Sequence, residues 1–296
     1  MAKIKFENHN FTAETRALIA EAEAIIAEYQ AAGFQLTLRQ LYYQFVARDI
    51  VPNTERSYKR IGDVVSAGRR AGLLDWSAIE DRTRYLRKLT AWKTPLEILE
   101  AARDSYHRDL WVNQRRRVEV WIEKDALVGI IEKTCNDNDV PFFSCRGYVS
   151  DSEMFEAGMR IHRRQKTHQA TLILHLGDHD PSGIDMTRDI TERLDLFSAG
   201  SPSLEVRRIA LTMKQIEEFK PPPNPAKITD SRYQNYVIHY GRESWELDAL
   251  DPKYLRNLIE EAIKAERDYP AWKDINAEQE GERERIALAV EKFKEE

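Results

Sequence analysis

Apolar positions along residues 11–31 recur at Ile19, Ala22, Ile26 and Tyr29 with glutamates between them, the spacing of one face of an amphipathic helix. Gly33 ends that helix, and Thr37 reads as the N-cap of a second over 38–48, closed by Asp49 and Pro52. Asn53-Thr54-Glu55 opens a third over 55–71, with Ile61, Val64, Val65 and Gly68 on one face and Arg56, Arg60 and Arg70 near another; Gly72 ends it. The second half has a different rhythm. Short apolar runs at 118–122, 140–145, 170–176 and 204–211 read as strands, and helices are expected between them at 125–136, 151–166 and 183–198. Strands alternating with helices predict an α/β fold with a parallel sheet covered on both faces. Residues 220–225 read as an extended linker, and 252–269 and 275–294 as helices. No internal repeat is evident.

Three short helices with tight turns, the third basic, resemble a helix-turn-helix domain. Residues 73–90, with Trp76, Ile79, Arg82, Arg84 and Arg87, would supply a β wing. The chain of 296 residues is 42% hydrophobic with only 12 Gly and 11 Pro, which is enough apolar material for a core and excludes a low-complexity chain. Its length suggests two domains or one large one; the change of rhythm favours two, 1–110 and 111–296. No apolar run approaches the ~20 residues of a membrane span, and the start lacks the pattern of a signal peptide. A cytoplasmic, nucleoid-associated protein without a membrane partner is expected. Cys135 and Cys145 form no CxxC, so neither a disulfide framework nor a cysteine zinc site is expected.

The net charge of −5 hides an asymmetry: residues 36–120 carry 17 Lys and Arg against 11 Asp and Glu. A basic segment ahead of an acidic one points to a polyanion contact, with solvated helix faces as the alternative. Arg56, Lys59, Arg60, Arg69 and Arg70 are the candidate DNA contacts.

Two acidic clusters stand at the carboxyl ends of predicted strands, where functional residues gather in parallel sheets. Glu123 closes Val-Glu-Val-Trp-Ile and precedes Lys124-Asp125; Asp178 and Asp180 follow Leu-Ile-Leu-His-Leu-Gly177 and precede Pro181-Ser-Gly183. In extended chain, residues two apart point to one side, so both aspartates can face one ion. Oxygen ligands with a few waters suit Mg²⁺, with Mn²⁺ able to substitute, and such a centre suits phosphoryl transfer. The alternative for these aspartates is helix N-capping. A zinc site at His175 and His179 is disfavoured, because His175 lies inside a strand pattern.

Glu123 followed later by Asp178-His179-Asp180 resembles the Toprim domain of topoisomerases, primases and related nucleases. The fuller resemblance is to the catalytic A subunit of topoisomerase VI and its meiotic break-forming relatives. Glu123-Lys124-Asp125, the Gly147-Tyr148 pair and Asp178-His179-Asp180-Pro181-Ser182-Gly183 each match a motif of that family, and the likeness runs over residues 36–270. There a winged-helix domain precedes a Rossmann-like Toprim domain and carries the nucleophile in a motif similar to Arg39-Gln40-Leu41-Tyr42-Tyr43. Gln40 replaces an acidic residue common at that place. The family's ATPase-binding amino-terminal extension has no counterpart in the 35 or so residues ahead of this motif, so the chain is most similar to the compact stand-alone type on bacterial mobile elements. No P-loop is present, so ATP dependence would need a B-type subunit.

The resemblance implies a DNA-cleaving type IIB topoisomerase-like enzyme. Tyr43 would attack double-stranded DNA to leave a 5′-phosphotyrosyl link, Arg39 would hold the phosphate, and Glu123, Asp178 and Asp180 would hold the metal. A homodimer is implied, with Tyr43 of one protomer facing the metal site of the other. Two other classes stand beside it: a hydrolytic Toprim nuclease using water in place of Tyr43, and a non-catalytic DNA-binding regulator. The 221–240 segment, with Lys227, Asp230 and Arg232, has no role assigned by the sequence.

Overall fold

The computed structural model describes residues 3–33, 35–79, 89 and 91–295. Helices α1 (Ala13–Ala31), α2 (Leu38–Ala47) and α3 (Glu55–Arg70) begin at Thr12, Thr37 and Thr54, whose hydroxyls each accept a backbone N–H of the first turn. At α2 the cap is reciprocal: Gln40 N–H donates to Thr37 Oγ1 (3.3 Å) and Thr37 N–H to Gln40 Oε1 (2.7 Å). Gln40 is therefore a capping residue. Ile61, Val64, Val65 and Gly68 of α3 are buried, as their spacing predicts.

After α3, Trp76–Ala78 form a 3₁₀ turn where the sequence suggests the start of a wing. Ile79 bridges Leu36 in parallel, and residues 80–88 and 90, which carry Arg82, Arg84 and Arg87, lie outside the described residues. Helix α4 (Pro95–Ser105) leads into β1 (Arg116–Ile122), α5 (Val128–Asp137), β2 (Phe142–Ser144), α6 (Asp151–Lys166), β3 (Ala170–Leu176), α7 (Pro181–Phe197) and β4 (Leu204–Ala210). The order of the parallel sheet is β2-β1-β3-β4. The fold is mixed α/β, with helices over both faces of this sheet. Val118, Val120, Ile122, Leu172 and Leu174 pack with α5 and a carboxyl-terminal helix, and that cluster continues into α1–α3. Trp121 and Ile173 face α6 and α7 on the other side.

The carboxyl-terminal third holds α8 (Met213–Phe219), β5 (Asn224–Pro225), α9 (Tyr233–Tyr240), β6 (Glu243–Ser244), α10 (Pro252–Glu266) and α11 (Tyr269–Glu295). The expected linker over 220–225 is in part a strand, since Asn224 and Pro225 pair antiparallel with Ser244 and Glu243. The last two helices divide earlier than expected. Pro270 is tolerated only in the first turn of a helix, so α10 cannot run on through it; the chain breaks at Arg267 and α11 starts around Pro270, with Asp268 Oδ1 accepting the Ala271 N–H (3.2 Å). Helix α4 packs along α11, tied by Tyr106 Oη to Glu282 (2.6 Å) and Arg108 to Glu278 (2.6 Å).

Candidate active site

The chain leaves β1 for β2 on one side and later returns to β3 on the other, so the strand order reverses between β1 and β3. At such a switch point the carboxyl ends open a crevice. The register Ile122 to Leu176 sets Glu123 beside Gly177, and the Glu123 N–H donates to Leu176 O (2.8 Å). Glu123 Oε2 accepts the Asp178 N–H (2.8 Å) in a space that only glycines leave open. A Cβ on Gly177 would lie 2.9 Å from Glu123 Oε2, and one on Gly183 would lie 2.3 Å from Asp178 O.

Asp180 is the N-cap of α7: its Oδ1 accepts the Gly183 N–H (2.6 Å) and the Ser182 hydroxyl (3.0 Å). Capping uses one carboxylate oxygen, so the capping and metal-ligand readings are compatible. Among the described residues, neither Glu123 Oε1 nor Asp180 Oδ2 takes a hydrogen bond or ion pair. Burial raises the Glu123 pKa above the ordinary glutamate range, and the charge of Asp180 adds to that shift.

Asp178 turns its carboxylate the other way. Oδ1 accepts the Leu247 N–H (2.8 Å), and Oδ2 lies 2.8 Å from Lys124 Nζ. Asp178, Glu246 and Asp248 bring ligand oxygens within 4.8 Å of one another, a buried triad that could hold a metal ion. The Lys124 ammonium sits among them, donating to Glu246 and to Asp248 Oδ1 (3.1 Å). Burial opposes the charge on Lys124, but Asp248, Asp178 and Glu246 outweigh it and raise its pKa well above the lysine range. Burial likewise pushes Glu246 upward, and Lys124 and Arg39 overcome that push and hold it below the ordinary range. Burial raises Asp178, opposed by Lys124 and reinforced by Glu123 and Asp248.

Arg39 of α2 enters the same network. It pairs with Glu246, and its Nε lies 2.6 Å from Asp248 Oδ2, out of line for a hydrogen bond, so that contact is an ion pair. Tyr43, one helical turn on, presents its ring 5.9 Å from the Arg39 guanidinium. A cleft of about 350 Å³ opens here, lined by Arg39, Tyr42, Tyr43, Tyr58, Lys227 and Glu246. Burial pushes the Tyr43 hydroxyl up to about 12; Asp248 and Glu246 push it the same way and Arg39 opposes them. At neutral pH it is protonated.

No protein-family model and no curated protein matches the chain.

Glu246 and Asp248 were not among the sequence candidates. They reach the site because β6 is followed by a backbone bridge in which His179 and Trp245 exchange N–H donors (2.8 and 3.0 Å). The 221–240 segment braces the same loop. Tyr236 Oη lies 2.9 Å from His179 O and 2.8 Å from its Nδ1, and Arg232 donates to Asp185 (2.7 Å) on α7, which also accepts from Tyr148 Oη (2.7 Å). His175 faces Thr187 Oγ1 (2.9 Å), so the two histidines face different partners. Burial pushes His175 down to about 3 and His179 to about 4, so both are neutral.

Behind the acidic loop, Arg208 of β4 spends all five of its N–H donors on neutral acceptors. Nε donates to Leu211 O (3.1 Å), Nη1 to Gly183 O (2.9 Å) and Thr187 Oγ1 (3.0 Å), and Nη2 to Gly177 O (2.8 Å) and Asp178 O (2.5 Å). Burial lowers its pKa to about 10, still well above neutrality. Arg208 fixes the backbone from Gly177 to Gly183 without neutralising the carboxylates by contact.

The adjacent tyrosines have separate environments. Tyr42 Oη accepts the Thr54 N–H (2.9 Å) and lies 3.0 Å from Asn53 Oδ1, pinning the turn between α2 and α3. Tyr42→Phe leaves that N–H without its partner and is expected to cost about 1 kcal/mol in urea unfolding. An unchanged midpoint would show that the turn does not depend on this hydroxyl.

The basic residues of α3 also divide. Arg69 donates to the carbonyl oxygens of Trp76 and Ile79 and stacks on Trp76, so its guanidinium is committed to the fold. Lys59 pairs with Glu55 (2.7 Å), Arg60 with Glu14 (2.6 Å) and Arg70 with Glu7 (3.4 Å), all with substantially exposed side chains. Arg56 is exposed. Surface pairs of this kind contribute little and exchange readily for a phosphate.

Proposed function

We propose that the protein is a metal-dependent DNA-cleaving enzyme of the topoisomerase VI A-subunit kind, with a winged-helix-like amino-terminal unit and a Toprim-like sheet. One observation carries the reading. Tyr43 lies against Arg39, and Arg39 belongs to a charge network that runs through Asp248 and Glu246 to Lys124 and the strand-end Asp178, residues far apart in sequence.

In the proposed step, Tyr43 Oη forms a bond to phosphorus and the bond to the 3′ oxygen breaks. The hydroxyl proton is lost to solvent, and the 3′ oxygen takes one up. The 5′-phosphotyrosyl link conserves the ester, so attack by the 3′ hydroxyl reverses the break. A protonated tyrosine is a poor nucleophile, so the step needs proton removal and stabilisation of charge at the phosphate. Arg39 presents a planar donor suited to phosphate. Glu123 and Asp180 are the residues that would hold Mg²⁺ or Mn²⁺; the third expected ligand, Asp178, has both carboxylate oxygens engaged by Leu247 N–H and Lys124. When bound, the ion would supply Lewis-acid stabilisation of the phosphate oxygens. A homodimer, with one Tyr43 from each protomer, would cut both strands of duplex DNA.

The test is cleavage of labelled duplex DNA with Mg²⁺, against excess chelator. Asp180→Ala is expected to abolish cleavage and, through the lost cap, to lower stability by about 1 kcal/mol. Full cleavage in chelator, or by Asp180→Ala, would sink the assignment.

A further inference from the structure

The two sides of the acidic crevice differ in what already neutralises them. Toward α7, Glu123 Oε1 and Asp180 Oδ2 have no cation among the described residues, whereas Asp178, Glu246 and Asp248 surround the Lys124 ammonium and share Arg39. The lysine is held in place: its backbone follows β1 directly, and its side chain is largely buried among three carboxylates contributed by two separate chain segments.

We infer that Lys124 is a tethered cation standing where a second divalent ion would otherwise bind, so that this protein loads one metal ion, on the Glu123–Asp180 side. The charges support this arrangement. Three carboxylates around one point repel strongly in a buried setting and need a counter-charge. An ammonium with three donors meets one oxygen from each carboxylate, and its four-carbon stem fixes it at the edge of the crevice. A divalent ion entering the same oxygens would have to displace the Lys124 Nζ, which already lies between Asp178, Glu246 and Asp248 on a largely buried side chain. The outer side offers carboxylate oxygens without that competitor. Placement of the single ion rests on the metal reading above; the role of Lys124 rests on its own contacts.

The experiment is Mn²⁺ titration of the full chain, counting bound ions by electron paramagnetic resonance, together with thermal melts in chelator and in Mn²⁺. The wild type is expected to bind one ion, and Asp180→Ala to lose it. Lys124→Met keeps the length of the side chain and removes its charge. It is expected to melt lower than wild type in chelator, to gain one bound ion, and to rise in melting temperature by about 5 °C more than wild type at saturating Mn²⁺. Two ions on the wild type, or no added ion and no added Mn²⁺ stabilisation in Lys124→Met, would overturn the inference. If Lys124→Met does not fold in chelator, its recovery by Mn²⁺ supports the inference and a failure to recover opposes it. A wild type that binds no ion while Lys124→Met binds one would contradict the Glu123–Asp180 metal reading and still uphold the role of Lys124.

Discussion

Tyr43→Phe is expected to eliminate covalent protein–DNA adducts and reduce strand breakage by about 10³-fold or more, as loss of a nucleophile does elsewhere. The substitution removes one oxygen and keeps a buried ring on α2, a helix that packs against the Leu247–Ala249 turn. Its effect on stability should therefore stay within about 1 kcal/mol, and duplex binding should be unchanged. Denaturing gels of labelled DNA, run with and without protease digestion, provide the check. Breaks that persist in Tyr43→Phe with free 5′ ends would favour water as the nucleophile. Tight binding without any break by the wild type would favour a regulator. Tyr42→Phe should retain cleavage, because neighbouring helical positions point about 100° apart and only Tyr43 faces Arg39.

The largest loss of stability is expected at Glu119, on β1 four residues before Glu123. Its carboxylate is fully buried and accepts from Arg160 Nε (3.0 Å) and Nη2 (2.9 Å), Arg164 Nη1 (2.6 Å) and Trp121 Nε1 (3.1 Å). Glu119→Ala leaves Arg164, itself mostly buried, without its carboxylate. The expected cost is about 3 kcal/mol or more in chemical denaturation. The pH dependence follows from the same contacts. Burial alone would raise the Glu119 pKa, but the arginines and the indole N–H outweigh it and lower the pKa to about 2, from an ordinary 4.5. A depressed pKa means that the unfolded chain binds the proton more readily. The pair's contribution is therefore complete above about pH 4.5 and is lost as pH falls toward 2. Wild-type stability should fall over that window and Glu119→Ala should fall less. Parallel pH profiles for the two proteins would contradict this account of Glu119.

Much of this architecture was legible in the sequence because its determinants are local. The alternation of Val118, Val120 and Ile122 with Glu119 and Trp121 marks β1 and both of its faces. Threonine caps mark the starts of α2 and α3. The elements that the sequence does not mark are short: α8 and α9 each have too few turns for a 3.6-residue period to emerge. At the site, Glu123 and Asp178 are neighbours, as two strand ends in one register require. Glu246 and Asp248 could not be placed in the same way, because they arrive through a backbone bridge between Trp245 and His179, some 65 residues apart in the chain. Their one local signal is the Glu246-Leu247-Asp248 spacing, which repeats the acid-x-acid pattern of Asp178-His179-Asp180. Arg69 shows the opposite case. Its place in a basic run reads as a phosphate contact, yet its Nη2 donates to carbonyls of the following turn.

The central claim, that Tyr43 attacks a phosphodiester beside a metal held by the strand-end acids, is tested most directly by identifying the atom joined to the DNA. Duplex DNA is incubated with the wild-type protein and Mg²⁺, the reaction is stopped with detergent and digested with protease, and the peptide left on the 5′ ends is sequenced by mass spectrometry. The account predicts a single modified peptide carrying the 5′ phosphate on Tyr43, absent when chelator replaces Mg²⁺. Cut DNA whose 5′ ends bear no peptide, or a peptide linked through any other residue, would contradict it.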